Sequence, residues 1–110
     1  MTDEPSAAET LFWALAEALQ ADDPGVTEGT IMRGRCLRVD GEFLALPDFK
    51  GSGMVVKLSR ERVEALISEG VGRPFAPAGR VFREWVAIEK ADPERWSALL
   101  QEGVALARGR

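Results

Sequence analysis

Cys36 is the single thiol of a 110-residue chain that contains no histidine and no tyrosine. Those absences bound the available chemistry. Without imidazole there is no Ser-His-Asp or Cys-His nucleophile, no imidazole acid–base catalyst and no histidine ligand for a transition metal. One cysteine forms no intrachain disulfide, and a structural zinc site would need three more ligands. Catalysis would have to rest on carboxylates, lysine or the thiol. A lone strand cysteine is ordinarily a small buried hydrophobe, although a neighbouring arginine could activate it. Asp22, Asp23 and Asp48 are the acids best placed for a carboxylate or metal site, yet each falls where a turn or cap calls for an acid. Gly51-Ser52-Gly53 reads as a hairpin loop, because no helix follows it to make a phosphate cradle. These residues point to a protein that is not an enzyme and carries no cofactor and no metal.

Binding chemistry is better represented. Arg33, Arg35, Arg38, Lys57, Arg73, Arg80 and Arg83 are the cations nearest the expected strands. Converging on one sheet face, they would meet phosphates, with Trp85 as a stacking platform. The alternative is a solvated face whose arginines pair with Glu42, Glu61, Glu84 and Glu89. The net charge of −4 argues against a general polyanion binder. Trp85 suits a partner interface or a self-interface, where aromatic side chains concentrate. A shift of one residue in strand parity would instead bury it. Trp13 and Trp96 have helical spacing and read as core or core-rim residues. The candidate interaction face is Trp85, Arg83, Arg80, Arg35 and Lys57.

The elements that position these residues follow from pattern. Ser6 to Glu9 has capping-box spacing, and Leu11, Leu15 and Leu19 with Phe12 and Ala16 make an amphipathic helix ending near Asp22 to Gly25. Residues 29–39, 42–47 and 53–58 read as a three-stranded meander. Asp40-Gly41 predicts a two-residue turn, and 48–52 a longer loop. The apolar parity slips in the first strand, where a bulge near Gly34-Arg35 would reconcile it. Ser59 caps a second helix carrying Val63, Leu66 and Ile67, stopped by Gly70. The stretch 71–90 is the organising segment. It predicts a short extended piece over 73–76, a turn at Ala78-Gly79 and a strand over 81–89, paired with the sheet from Trp85 onward. Asp92-Pro93-Glu94 opens a last helix with Trp96, Leu99, Leu100 and Val104 on its stripe, and Gly103 on that stripe signals close packing.

This is one domain of the α+β class: a two-layer sandwich, helices on one face of an antiparallel sheet, in the order α-β(3)-α-β(2)-α. The open face should carry Trp85, Arg83, Lys57, Val55 and Arg35. The first five residues should fray. No basic segment precedes an apolar stretch and no run approaches membrane-spanning length, so a cytoplasmic protein without signal peptide is expected.

Several stretches also match a known pattern in order and spacing. They are Gly29-Thr30-Ile31-Met32-Arg33-Gly34, Val39-Asp40-Gly41-Glu42-Phe43, Val56-Lys57-Leu58-Ser59, Gly72-Arg73-Pro74-Phe75, Gly79-Arg80 and Glu84-Trp85-Val86. From about Glu28 to Ala107 the chain resembles the TfoX N-terminal domain and YjbR-like proteins. The resemblance implies the same strand and helix order, no cofactor and no catalytic residues. TfoX-type proteins are associated with regulation of competence genes, and YjbR-like proteins are often described as DNA-binding. The resulting expectation is a small binding domain for a protein partner, a homodimer included. The alternative is a nucleic-acid-binding regulator working through the basic sheet face.

Overall fold

The structure is a computed structural model that describes residues 6–31, 34–48 and 53–109. The expectations placed on residues 1–5, Met32, Arg33, the 49–52 loop and Arg110 lie outside the described residues.

Ten elements follow one another. Helix α1 spans Ala7–Asp22; β1 Val26–Ile31, β2 Gly34–Val39, β3 Glu42–Pro47 and β4 Met54–Lys57 come next. Helix α2 (Arg60–Ser68), β5 (Arg73–Phe75), a 3-10 turn (Pro77–Gly79), β6 (Phe82–Ile88) and α3 (Pro93–Arg108) complete the chain. The strands form one antiparallel sheet in the order β1-β2-β3-β4-β6-β5. The α+β two-layer arrangement is therefore the one the pattern predicts, with four strands before α2 instead of three.

The extra strand corrects the meander. What reads as one strand over 29–39 is the β1–β2 hairpin, with Ile31 opposite Gly34 and Val26 opposite Val39. The parity slip is not a bulge at Gly34-Arg35. Strand β2 is buried on both faces, Leu37 and Val39 toward the helices and Cys36 on the other side, so alternation carries no signal there. The bulge that does occur lies in the β2–β3 pairing. Leu37 faces Ala45 while Arg38 faces Phe43, which leaves Leu44 as the extra residue on β3.

Local chemistry accounts for the ends of the elements. Ser6 Oγ accepts the Glu9 N–H at 3.1 Å, and Ser59 Oγ accepts the Arg62 N–H at 3.2 Å. Asp92 Oδ1 accepts from Glu94 and Arg95, with Pro93 in the first turn of α3. The Asp40-Gly41 turn takes φ of 52° and 87°, as a tight antiparallel hairpin requires.

All three helices pack on one side of the sheet. Ala8, Phe12 and Ala16 of α1, Val63 and Leu66 of α2, and Trp96, Leu99 and Leu100 of α3 share a core with Leu37, Val39, Ala45, Met54, Val56, Val86 and Ile88. In α1 the buried line is Ala8-Phe12-Ala16, and Leu11, Leu15 and Leu19 flank it. Gly103 fulfils its expected role: a Cβ there would stand 2.7 Å from Leu44 Cδ1 and 3.1 Å from the Lys57 carbonyl oxygen. Helix α3 can lie close to the sheet only without that side chain. Among the described residues no helix is long and apolar enough to cross a membrane.

Candidate interaction face

The side of the sheet without helices carries its own apolar cluster. Cys36, Leu46, Val55 and Ala87 are buried there, with Ile31, Phe43, Phe75 and Trp85 packed against them. Register explains the grouping. Leu46 faces Val55 across β3–β4, and Val55 faces Ala87 across β4–β6, so these side chains form a row across the strands. One step along, Lys57 of β4 lies opposite Trp85 of β6.

Trp85 is the centre of this face. Its ring stacks on Phe43 of β3 at 4.0 Å between centroids and 14° between planes. On the β5 side Phe75 stacks on it at 5.6 Å and 19°, and Phe82 leans on it at 5.0 Å. Phe75 and Phe82 also meet edge to face at 5.8 Å. The pairing shift between Pro74 and Phe75 sets Phe75 opposite Phe82 and so completes the group. With one ring stacked from each side, Trp85 offers a partner its edge and the surrounding rings. It does not offer a bare face on which a base could stack.

The expected site residues divide. Trp85 and Lys57 share the helix-free face through their register. Arg83 is exposed and borders a cleft of about 90 Å³ with Trp85, Phe82, Val81, Val63 and Ile67. Arg80 follows the 3-10 turn, gives its N–H to the Pro77 carbonyl and is exposed, but enters no contact with the ring group. Arg35 does not belong to this face. It shares the helix side with Leu37, places its guanidinium 4.0 Å over the Trp13 ring of α1 and donates to Glu28 at 3.0 Å. This corrects the expectation of Arg35 on the open face: without a bulge at Gly34-Arg35, Arg35 keeps the parity of Leu37 and Val39. Among the described residues Lys57, Arg80 and Arg83 make no ion pair, whereas Arg73 pairs with Glu89 at 2.6 Å.

Three phenylalanines of the ring group, Phe43, Phe75 and Phe82, were not singled out from sequence. Phe82 has the sequence parity of Val86 and Ile88, and the shift in β5–β6 pairing sets it in the company of Trp85. Their common feature in sequence is position, each next to a turn or a strand end.

Burial pushes the Cys36 thiol up, which disfavours the thiolate. Glu28 is held below the usual carboxylate range by its hydrogen bonds with Arg35, on the other side of the sheet. Among the described residues no group of three or more Cys, Asp or Glu side chains could hold a metal ion. Beside the ring group, Asp48, Arg73, Phe75, Ala87 and Glu89 line a second cleft of about 280 Å³. The first cleft falls well short of the roughly 300–1,000 Å³ of small-molecule sites, and the second lies near the lower end of that range. On this face Cys36, Leu46, Val55 and Ala87 are buried, the four rings are half-buried, and Lys57 and Arg83 stand beside them. No family model, no curated protein and no solved structure matches the chain.

Proposed function

We propose that this chain is a non-catalytic interaction domain that binds protein, a second copy of itself included, through the helix-free face of its sheet. The observation that carries the reading is the four-ring group of Phe43, Phe75, Phe82 and Trp85 on a face that no helix covers. A half-buried aromatic group of this kind has the composition of an interface centre, and Lys57 and Arg83 beside it supply a polar rim. This reading would set the chain beside the TfoX N-terminal and YjbR-like domains that its residue pattern resembles.

A second reading, nucleic-acid binding, draws on the cations Lys57, Arg80 and Arg83, which have no carboxylate partner among the described residues. The closed stack around Trp85 weighs against it, and so does the net charge of −4.

Sedimentation velocity over a hundredfold range of concentration tests the first reading. Self-association should appear as a rising mass that Trp85→Glu returns to a single copy, with helix content unchanged by circular dichroism. A mass that rises equally in Trp85→Glu would sink the assignment to this face. Fluorescence anisotropy with labelled duplex and single-stranded DNA tests the second. Saturable binding with a steep salt slope, lost in Arg80→Ala/Arg83→Ala, would put nucleic acid first.

A further inference from the structure

Strand β1 is an edge of the sheet, and the alternation of its hydrogen bonds shows which of its backbone groups are free. The Asp40 N–H donates to the Gly25 carbonyl at 2.8 Å, and continuing the register of Val26 opposite Val39 sets Gly25 opposite Asp40. In an antiparallel ladder bonded and non-bonded pairs alternate. Thr27, Gly29 and Ile31 therefore bond to β2, and Val26, Glu28 and Thr30 turn their N–H and C=O groups outward. An outward row of this kind is a template for strand addition.

Two of those outward groups are already engaged from within the chain. The Val26 N–H donates to the Asp23 carbonyl at 3.0 Å. The Thr30 carbonyl accepts from Arg38 Nη2 at 3.0 Å. Arg38 sits on β2, so its side chain must cross β1 to reach that carbonyl. It crosses at Gly29, where a Cβ would stand 2.6 Å from Arg38 Nε and 3.0 Å from its Cδ. The other terminal nitrogen of Arg38 lies 3.4 Å from the Gly41 carbonyl.

The two engaged groups are among those a second copy would need. Antiparallel pairing of β1 with the β1 of a second copy, centred on Glu28, sets Val26 against Thr30 of that copy. Two bonds join such a pair, and of these the one from the Val26 N–H to the Thr30 carbonyl has both of its ends occupied. The same pairing sets the two Glu28 side chains, each held by its own Arg35, against one another.

We infer that Arg38, lying across Gly29 onto the Thr30 carbonyl, closes the β1 edge against pairing with a second copy of this chain. The edge is a latent strand-pairing surface, distinct from the ring group on the sheet face. Arg38 is a positioned guard, and Gly29 is the gap that lets it through.

The experiment is sedimentation velocity on Arg38→Ala and Gly29→Val, each also in a Trp85→Glu background, so that association through the sheet face is removed separately. Both variants should show a mass that climbs from one copy toward two, at concentrations where the parent stays a single copy. Gly29→Val retains the arginine and only displaces it, so agreement between the two assigns the effect to the contact. Adding Glu28→Pro should return both to a single copy, since it deletes an outward N–H and no β1–β2 bond. Circular dichroism confirms that each variant is folded. Folded Arg38→Ala and Gly29→Val proteins that remain single copies would overturn the inference. So would a dimer that persists with Glu28→Pro, or a parent already paired through β1.

Discussion

Gly53 shows how a single residue can be dictated by its neighbours and not by its own backbone preference. It immediately precedes β4 beside the end of β6, and a Cβ at this position would stand 2.5 Å from the Ile88 carbonyl oxygen and 2.8 Å from Glu89 Cα. Both are backbone atoms that no rotamer change can move. Gly53→Ala should therefore destabilise the protein by about 1–3 kcal/mol, the range of overpacked interiors. A urea denaturation midpoint indistinguishable from the parent's would contradict this close approach. Gly103 meets a side-chain methyl group instead, at 2.7 Å from Leu44 Cδ1, so part of its strain can relax. Gly103 was legible in sequence because it interrupts an apolar helical stripe. Gly53 was not, since it stands at the end of a Gly-Ser-Gly loop where glycine needs no special reason. Cys36 belongs to the same scale. Its type and strand setting announce a buried small residue, and burial does raise its thiol.

Among the elements, α2 leans most on its surroundings. Its nine residues are too few for a helix to persist alone in water. It is held by Val63 and Leu66 in the core and by the Ser59 cap on the Arg62 N–H. Ser59→Ala should cost about 1 kcal/mol, and a thermal scan should show a fall of several degrees. Retention of the parent melting temperature would mean that the cap is redundant. Caps, hairpin turn and helix stripes were readable because each depends on residues within a few positions of one another. The β1–β2 hairpin was not readable on the same terms. Its two strands lie so close in sequence that their joint pattern passes for one strand. The double burial of β2, with Cys36 on one face and Leu37 on the other, removes the alternation that would separate them. The regular register through Arg35 keeps it on the side of Leu37, whereas a bulge at Gly34-Arg35 would have changed its face.

At the scale of the molecule, Arg108 ties together three points distant in the chain. Near the end of α3 it donates to Asp23 after α1, at 2.6 and 2.9 Å, and to Asp40 in the β2–β3 turn, at 2.9 and 3.1 Å. Gly25 leaves room for this, since a Cβ there would collide with Arg108 and Asp40. The guanidinium holds both carboxyls below the usual 3.8 of an aspartate. A folded-state pKa below the unfolded one adds stability that is present above the unfolded value and lost as pH falls through the folded value. The stabilisation from this clamp should thus hold at neutral pH and fade below about pH 4. Urea midpoints of the parent and Arg108→Gln should differ at pH 7 and draw together as the pH falls below the ordinary aspartate range. A difference that stays constant over that range would show that Arg108 acts by packing alone. Arg108 and Asp40 are exposed and Asp23 is half-buried, so the effect should also shrink in salt.

The sequence by itself determined the two-layer α+β class, the three helices with their caps, the Asp40-Gly41 turn and the strand that carries Trp85. These depend on periodicity and on short-range hydrogen bonding, which are written into neighbouring residues. Only the tertiary structure decided that Phe43, Phe75 and Phe82 gather around Trp85, that Arg35 goes with the helices, and that Arg38 reaches across Gly29 to the edge of the sheet. Each of these depends on strand order and register. A shift of one residue in pairing changes the face of every side chain beyond it, and no local pattern in this chain records that shift.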